Sequence, residues 1–436
     1  MRESAESAAL TTHVVIVGAG FGGLNCAKRL ASDSKLRITL IDRNNYQQFQ
    51  PLFYQIATGI LSPENAAFNL RNVLFHHENV DVKMSEIVSV DLATRTVKGK
   101  SGDTYQGDFL VLAAGSEANF FGISGANKNA FPIYSLRDAE HLRSRILELF
   151  EAADVKGQTT AESSLHFLVV GAGATGVETA GAIADILQRA PRDLYPNVDL
   201  AKAVITLVDM GIKVLPGFTE QSQQYAASIL KERGVQLRLG LAVKEVTDSD
   251  VLLSDGARVP AKLVIWAGGL KAAALSASLG IKPGHGGRID VQPDLTLGGY
   301  PRVYALGDFA NMKAEGGGPL PQLASVAQQA GRHCADNIIA AAAGRGQKPF
   351  AYFDKGIMAM VGRNAAVAEI GTSHHPITGV FAFAAWLGVH AVLLATVRAK
   401  MEAFFEWAWD YFGSVHVSPV LDRPSVDWAP EKPRTA

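Results

Sequence analysis

The sequence lacks the features that mark several classes of protein. It has two cysteines, Cys26 and Cys334, and no Cys-x-x-Cys pair, which excludes a disulfide framework and a dithiol redox centre. Both cysteines are therefore predicted to be small buried residues. Lys plus Arg (41) balances Asp plus Glu (42), so the composition does not suggest nucleic-acid binding, which needs a basic footprint, and no nucleic-acid partner is expected. The first twelve residues are polar and lack the apolar segment of a signal peptide, so none is expected.

Glycine and apolar residues are abundant instead. The chain has 42 glycines among 436 residues, with 48% hydrophobic and 19% charged residues. This balance is typical of a folded globular protein. A chain of this length is expected to form two or three domains.

The first glycine-rich motif lies between an apolar strand at 13–17 and a helix-like stretch that begins "LNCAKRLAS". This strand–turn–helix order is typical of a dinucleotide site, in which the turn and the helix N-terminus receive the pyrophosphate. A second strand, "RITLI", ends at an acid placed to accept a ribose hydroxyl. The predicted cofactor-binding residues are Gly18, Gly20, Phe21, Gly22, Gly23, Asp42 and Arg43.

The same device appears a second time. The strand "LHFLVV" leads into Gly-Ala-Gly-Ala-Thr-Gly and a helix, and the strand "AVITLV" ends at a second acid. A single GxGxxG is weak evidence, but two copies with strand, helix and distal acid are strong. The predicted residues of the second site are Gly171, Gly173, Thr175, Gly176 and Asp209.

Two such sites predict a flavin in one and a nicotinamide cofactor in the other. An acid at a strand end repels a 2′-phosphate, so Asp209 favours NADH over NADPH. The N-terminal site is predicted to hold FAD, because its second half returns late in the chain at 302–311. Two other strands, at 109–118 and 263–270, end in small residues and are interpreted as crossings between the domains. The further predicted cofactor contacts are Ala114, Gly115, Gly268, Gly307 and Asp308.

This arrangement resembles the two-dinucleotide-binding-domain flavoprotein superfamily over residues from about 10 to 345. Within it, the loop "FQPLFYQIATG" (49–59) resembles the flavin-side loop of type II NADH:quinone oxidoreductases, which are single-subunit NADH dehydrogenases that pump no protons. The resemblance implies that Gln50, Pro51 and Leu52 wrap the flavin. The alternative is an ordinary apolar loop that packs on the core.

The electron acceptor must come to the flavin, because the chain has no cysteine pair to take the electrons. A quinone, an iron–sulfur protein and oxygen are the candidates. The resemblance extends to "PLPQLASVAQQAG" (319–331), where it implies a quinone contact at Gln329, and Ser325 stands where the family carries a glutamine. It also implies that Glu178 positions the nicotinamide or relays protons. The alternatives are a surface glutamine and a helix-surface glutamate.

The last segment differs in character from the rest of the chain. Residues 379–397 carry no formal charge, and 398–413 place Arg398, Glu402, Glu406 and Asp410 four residues apart on one stripe. Apolar residues occupy the opposite side, and three tryptophans favour a membrane interface. We predict amphipathic helices that lie in the headgroup plane. A cap on the protein's own core or on a dimer partner, and a true membrane span, are the alternatives.

These observations combine into one prediction. The fold is α/β, with a discontinuous FAD domain (8–120 and 300–345), an NADH domain (130–295) and a C-terminal module (346–436). The protein passes a hydride from nicotinamide C4 to flavin N5 and two electrons to a membrane quinone, with no metal and no proton pumping. It is peripheral on the cytoplasmic face of the cell membrane, and a homodimer is left open. The rival functions are a ferredoxin- or rubredoxin-type reductase and a non-enzymatic redox sensor.

Overall fold

The computed structural model describes residues 12–155, 165–189 and 194–412, which form an α/β fold. The helices in this part of the chain are α1 Phe21–Leu30, α2 Phe53–Ala57, α3 Leu70–Val73, α4 Ala126–Asn129, α5 Leu136–Ala153, α6 Ala174–Arg189, α7 Glu220–Glu232, α8 Ala324–Ala342, α9 Val380–Leu393 and α10 Val397–Phe412.

The strands are mostly short, and several of them follow the apolar runs that the sequence indicates. They are β1 Thr12–Val17, β2 Leu36–Asp42, β3 Tyr46–Gln48, β4 Ala67–Asn69, β5 Val80–Met84, β6 Ile87–Asp91, β7 Thr96–Gly99, β8 Thr104–Gln106, β9 Phe109–Leu112, β10 Ser116–Ala118, β11 Ala130–Pro132, β12 His166–Val170, β13 Val204–Asp209, β14 Val235–Leu239, β15 Val243–Val246, β16 Asp250–Leu253, β17 Arg258–Pro260, β18 Leu263–Trp266, β19 Leu270–Ala272, β20 Ile289–Asp290, β21 Thr296–Leu297, β22 Tyr300–Ala305, β23 Ala310–Asn311, β24 Gly356–Gly362, β25 Ala365–Ile370 and β26 His375–Gly379.

The chain divides into two compact units. Among the described residues, the first comprises 12–47, 68–117 and 270–353, and the second comprises 48–67, 118–155, 165–189, 194–269 and 354–412. The C-terminal residues predicted as a separate module from 346 onward thus fall mostly in the second unit, together with the second glycine motif. The predicted cofactor domains and their boundaries stay predictions. The sequence expectation of no signal peptide and the end of the predicted C-terminal module concern residues 1–11 and 413–436, which lie outside the described part of the chain.

The first unit is built on a six-stranded sheet in the order β21-β22-β9-β1-β2-β5. All its neighbours pair in parallel except β21 with β22. The central strands β1 and β9 are mostly apolar and largely buried, as expected for a parallel sheet covered on both faces. Their carboxyl ends lie at one edge, where α1 follows β1. The cysteines Cys26 and Cys334 are both fully buried in this unit's core, as predicted.

The second unit repeats the plan with a five-stranded parallel sheet in the order β11-β18-β12-β13-β14. Helix α6 follows β12, just as α1 follows β1. The strands β12 and β18 are buried along most of their length. The repetition explains why the two glycine motifs carry the same flanking pattern.

An antiparallel sheet, β24-β25-β26, precedes the two C-terminal helices in the second unit. The uncharged stretch 379–397 is not one helix: α9 ends after Leu393, and Leu394 adopts an extended backbone before α10 begins. Among the described residues, no helix combines the length and the apolarity that crossing a bilayer requires.

Candidate functional site

The first glycine turn lies between β1 and α1 in the first unit. Gly18 has φ +99°, and a Cβ there would lie 2.2 Å from the carbonyl oxygen of Ala113, so only glycine fits. Gly20, which precedes α1, has no heavy atom within 4 Å of the position of a Cβ. As the N-cap residue of α1, Gly20 offers no side chain to accept hydrogen bonds from the first backbone N–H groups of the helix. The turn therefore has uncapped donors and open space in front of them, which fits a pyrophosphate.

The second turn, between β12 and α6 of the second unit, has the same geometry. Gly171 has φ +103°, and a Cβ there would lie 2.3 Å from the carbonyl oxygen of Ala267. Gly173 again has open space beyond its Cα. The predicted Thr175 and Gly176 lie in the first turn of α6. The structure thus places the members of each glycine motif in one turn.

The two acids at the strand ends hold these turns. Asp42 Oδ2 accepts the backbone N–H of Ala19 at 2.7 Å, and Asp209 Oδ2 accepts that of Ala172 at 2.7 Å. The other carboxylate oxygen of Asp209 accepts the N–H of Gly211 at 2.6 Å. Burial raises the pKa of Asp42, and the hydrogen bond that it accepts from the N–H of Ala19 only partly opposes this shift. Each acid therefore shapes its glycine turn, a role additional to the predicted ribose contact.

The other predicted FAD contacts lie at the same edge of the first sheet. Ala114 and Gly115 follow β9, while Gly307 and Asp308 form a 3-10 turn just after β22. The Ser116 hydroxyl donates to Asp308 Oδ2 at 2.9 Å. The strand ends converge because β1, β9 and β22 run in parallel. Gly268 follows β18 at the matching edge of the second unit's sheet.

Two predicted quinone contacts on α8 are engaged by the chain itself. The Gln329 amide donates from Nε2 to the carbonyl of Phe353 at 2.9 Å, and its Oε1 accepts the N–H of Phe353 at 3.0 Å. The Ser325 hydroxyl bonds that of Tyr352 at 2.9 Å. Both side chains thus fasten the segment before β24 to α8, and their role toward a quinone stays a prediction.

The loop 46–59 is largely buried, and its glutamines have distinct environments. Gln48 Oε1 accepts the N–H of Leu136 at the start of α5, at 2.8 Å. Gln55 bonds Tyr54 and Trp407. Gln50 Oε1 is buried without a hydrogen-bond donor within the described ranges. Because buried acceptors are normally paired, Gln50 fits the predicted ligand contact. The flavin contacts of Gln50, Pro51 and Leu52 stay predictions.

The second unit contains a cavity of about 530 Å³. Residues of α2, α6, β24, α9 and α10 line it, and its walls are mostly apolar. Its lining includes the buried polar side chains of Tyr54, Gln55 and Glu178. It also includes the exposed phenyl rings of Phe404 and Phe412 on α10. The cavity therefore extends from a buried polar group to the surface of the C-terminal helices.

Glu178 is the principal titratable group of this cavity. Its side chain is 8% exposed, and Oε1 accepts the backbone N–H of Met360 on β24 at 3.1 Å. Burial raises the pKa of the Glu178 carboxyl to about 8, and the Met360 hydrogen bond only partly opposes this. The carboxyl is therefore largely protonated at neutral pH and can act as a proton donor.

The charged stripe on α10 does not face solvent as a single polar surface. Glu406 accepts hydrogen bonds from the backbone and the hydroxyl of Ser62 at 2.8 and 2.7 Å. Asp410 forms an ion pair with Arg189 at 3.3 Å. Only the pair of Arg398 and Glu402 lies toward the surface. The two acids nearest the C-terminus thus bind the helix to its own unit, which the sequence pattern did not indicate.

Two arginines hold the C-terminal end of α10 against the cavity. Arg189 Nη2 donates to the carbonyl of Asp410 at 2.6 Å. Arg363 donates to the carbonyl of Tyr411 and lies 4.4 Å from the centre of the Tyr411 ring. Helix ends leave carbonyls without intrahelical donors, so these cations complete the helix and favour its dipole.

The surface of α9 and α10 that faces away from the second unit's core is apolar and exposed. Beneath the helices, Trp386 is fully buried and stacks on His390 with ring centres 3.7 Å apart. Burial lowers the pKa of His390 to about 4, so its ring adds no charge. The outer surface is called the apolar helix face here, and its large exposed side chains are Val380, Phe381, Val389, Val392, Leu393, Val397, Met401, Phe404, Phe405, Trp409 and Phe412.

Comparison with known proteins decides the family. The pyridine nucleotide-disulphide oxidoreductase family matches residues 12–331. The type II NADH:quinone oxidoreductase Ndh of Mycobacterium tuberculosis is 37% identical over 90% of this chain and 87% of its own. The chain belongs to the type II NADH:quinone oxidoreductases. A solved structure of NDH2 from Plasmodium falciparum in complex with NADH shares the fold of this oxidoreductase, with 19% identity, a TM-score of 0.85 and coverage of 93% of this chain and 99% of that one.

These findings confirm the predicted family, the α/β fold, the oxidoreductase class and the cofactors FAD and NADH. They do not favour the rival functions. Sequence reasoning missed several residues of the type II oxidoreductase's cavity, notably Tyr54, Gln55, Arg189 and Arg363. Tyr54 and Gln55 lie inside the loop 49–59, which resembles the family's flavin-side loop, so a sequence signal was present. The arginines had no sequence signal, because the groups of α10 that they bind lie more than 40 residues away in the chain.

Proposed function

We propose that this protein oxidises NADH and reduces a membrane quinone whose headgroup occupies the cavity of the second unit. The cavity carries the proposal. It is apolar, as a prenylated quinone requires, and it holds a few polar groups at its buried end that can bind carbonyl oxygens. The Mycobacterium tuberculosis relative that matches 90% of the chain is a type II NADH:quinone oxidoreductase, which supports the same oxidant.

Quinone reduction consumes protons as well as electrons, and Glu178 is placed to supply one. In the overall reaction NADH, one proton and quinone give NAD⁺ and quinol. Bound FAD supplies the two-electron chemistry between the two substrates. The chain's own contribution is a neutral carboxyl in an apolar cavity, held by the N–H of Met360. A carboxyl with a pKa of about 8 carries its proton at neutral pH and gives it up readily to a more basic oxygen.

The two glycine turns support an assignment of the cofactors. We propose that Gly18 to Gly23 with Asp42 hold FAD, and that Gly171 to Gly176 with Asp209 hold NADH. The supporting observation is the open space in front of Gly20 and Gly173, where the protein places no atom within 4 Å of a Cβ. The contacts of Arg43, Ala114, Gly115, Gly268, Gly307 and Asp308 belong to the same proposal.

The apolar helix face is proposed to rest in the headgroup region of a bilayer. Phe381 and Phe412 are each 84% exposed there, whereas scattered single apolar residues are the norm on soluble surfaces. Phe404 belongs both to this face and to the cavity lining, so a lipid quinone can enter without leaving the membrane. Attachment on the cytoplasmic side stays a prediction from the sequence, which left a homodimer open.

A cavity-filling substitution tests the quinone site. Gly388 of α9 lines the cavity, and a Cβ there meets no atom within 4 Å, so Gly388→Phe places a phenyl ring in the cavity at little cost to the fold. We expect quinone reduction to fall at least tenfold, while NADH still bleaches the flavin in a stopped-flow trace. Gly346→Phe, on an exposed loop with similar free space, serves as the control. Equal quinone rates in the two variants contradict the site.

A second experiment tests the membrane surface. The triple change Phe381→Ser, Phe405→Ser and Phe412→Ser removes three rings that contribute about 1.5 kcal/mol each on burial. Together they correspond to a roughly thousandfold weaker partition into lipid vesicles. NADH oxidation by ferricyanide should not change. Phe75→Ser, which alters an equally exposed ring of the first unit, is the control. Unchanged co-sedimentation of the triple variant with vesicles refutes the proposal.

A further inference from the structure

A chain of three buried side chains connects the C-terminal helix with the cavity. Trp407 of α10 donates its indole N–H to Gln55 Oε1 at 2.7 Å, and Gln55 Nε2 donates to the hydroxyl oxygen of Tyr54 at 2.8 Å. All three side chains are at most 8% exposed, and all three contribute to the cavity lining.

The chemistry of the three groups fixes the direction of both hydrogen bonds. An indole nitrogen can only donate, so the atom of Gln55 that faces Trp407 must be its oxygen. The amide nitrogen then faces Tyr54, and an amide N–H₂ also can only donate. The phenol oxygen of Tyr54 is therefore the acceptor, and its own proton cannot point to Gln55.

Within the described part of the chain, the Tyr54 hydroxyl accepts from Gln55, and no group accepts its proton. Glu178 lies close enough that, once its carboxyl is ionised, its charge raises the pKa of Tyr54 further, after the larger effect of burial. Among the residues that the structure describes, no hydrogen bond joins Tyr54 and Glu178. Buried donors are rarely left unpaired. The remaining direction is the cavity itself, where a ligand oxygen can accept the proton.

We propose that Tyr54 donates a hydrogen bond to a carbonyl oxygen of the bound quinone, and that Gln55 and Trp407 are positioning residues that turn its hydroxyl toward the cavity. The proposal rests on the quinone function proposed above. It follows that Trp407, a residue of the C-terminal helix α10, determines whether the Tyr54 hydroxyl can donate a hydrogen bond to the quinone. Without the Trp407 N–H, the Gln55 amide can reverse and accept the phenol proton, which removes the donor from the quinone.

Steady-state kinetics of the FAD-loaded enzyme with a short-chain ubiquinone or menaquinone test this proposal. Tyr54→Phe should raise the KM for quinone about five- to tenfold, which corresponds to the loss of one hydrogen bond. The rate of flavin reduction by NADH should stay at the wild-type value. Tyr304→Phe is the matched control, because it removes another buried hydroxyl that donates to a side-chain amide, at 2.8 Å from Gln347, and we expect a wild-type KM.

Trp407→Phe separates positioning from packing. It should raise the KM for quinone about threefold in the wild-type background and not at all in the Tyr54→Phe background, since coupled residues are non-additive. Additive effects of the two changes overturn the positioning role. If the wild-type enzyme reduces quinone and the Tyr54→Phe variant has an unchanged KM for quinone, the whole inference is overturned. A wild-type enzyme that reduces no quinone overturns the proposed function instead.

Discussion

The raised pKa of Glu178 makes a quantitative prediction about stability. The carboxyl titrates near pH 8 in the folded protein, against 4.5 for an ordinary glutamate. Between these values the folded state binds one proton more than the unfolded state. The free energy of unfolding therefore decreases as pH rises through this window and becomes independent of this group above about pH 8. At about 1.4 kcal/mol per pH unit, the full loss is roughly 5 kcal/mol.

The substitution Glu178→Gln removes this titration and keeps an oxygen to accept the N–H of Met360. We expect the variant to match the wild type near pH 5 and to exceed it by several kcal/mol at pH 9. The measurement is urea unfolding of the FAD-loaded enzyme, followed by far-ultraviolet circular dichroism at half-unit steps from pH 5 to 9. The difference between the two proteins is the relevant quantity, because other groups titrate equally in both.

A matched control is Glu402→Gln, which removes a carboxylate from the surface of α10 where it pairs with Arg398. Its stability difference from the wild type should be small and vary little over this range, because exposed ion pairs contribute at most about 1 kcal/mol. A constant difference between wild type and Glu178→Gln from pH 5 to 9 refutes the neutral carboxyl, and with it the proposed proton donor.

The remaining predictions concern the cofactors and the helix end. Gly20→Ala should fold, since no protein atom meets the added methyl, but should lose FAD at least tenfold more readily. The Gly173→Ala variant should keep bound FAD, and hence its yellow colour, and should have a higher KM for NADH. If Gly173→Ala loses FAD and Gly20→Ala raises the KM for NADH instead, the assignment of the two cofactor sites must be exchanged. Asp209→Ala should lower the ratio of NADH to NADPH activity about tenfold, and an unchanged ratio contradicts the ribose contact. Arg363→Met removes a donor to the last turn of α10, so hydrogen exchange there should accelerate about tenfold by mass spectrometry. The exposed Arg398→Met should leave it unchanged.

Local sequence patterns predicted much of the fold because the conformation of a strand, a glycine turn or a helix depends mainly on neighbouring residues. An apolar run before a glycine turn indicates a buried parallel strand that ends at a ligand site. The two copies of this pattern were recognisable at Gly18 and Gly171. The acids Asp42 and Asp209 were recognisable by their distance from the turns, but their bonds to backbone N–H groups were not. Such bonds depend on how two strand ends meet, and spacing along the chain does not contain this information.

The C-terminal helices show where pattern reasoning is limited. The four-residue spacing of the charges on 398–410 correctly indicated a helix with two sides. It did not indicate that Glu406 and Asp410 bind to Ser62 and Arg189 inside the same unit, because those partners lie far away in the chain. An amphipathic pattern gives the two faces of a helix but not what each face meets.

By itself, the sequence determined the strand–glycine turn–helix units, the family and the apolar character of the C-terminal helices, since each depends on neighbouring residues. Only the tertiary structure decided that Glu178 is buried against Met360, and that Trp407 orients Tyr54 through Gln55. The physical reason is that desolvation and hydrogen-bond direction arise from groups that folding brings together from more than 180 and 350 residues apart.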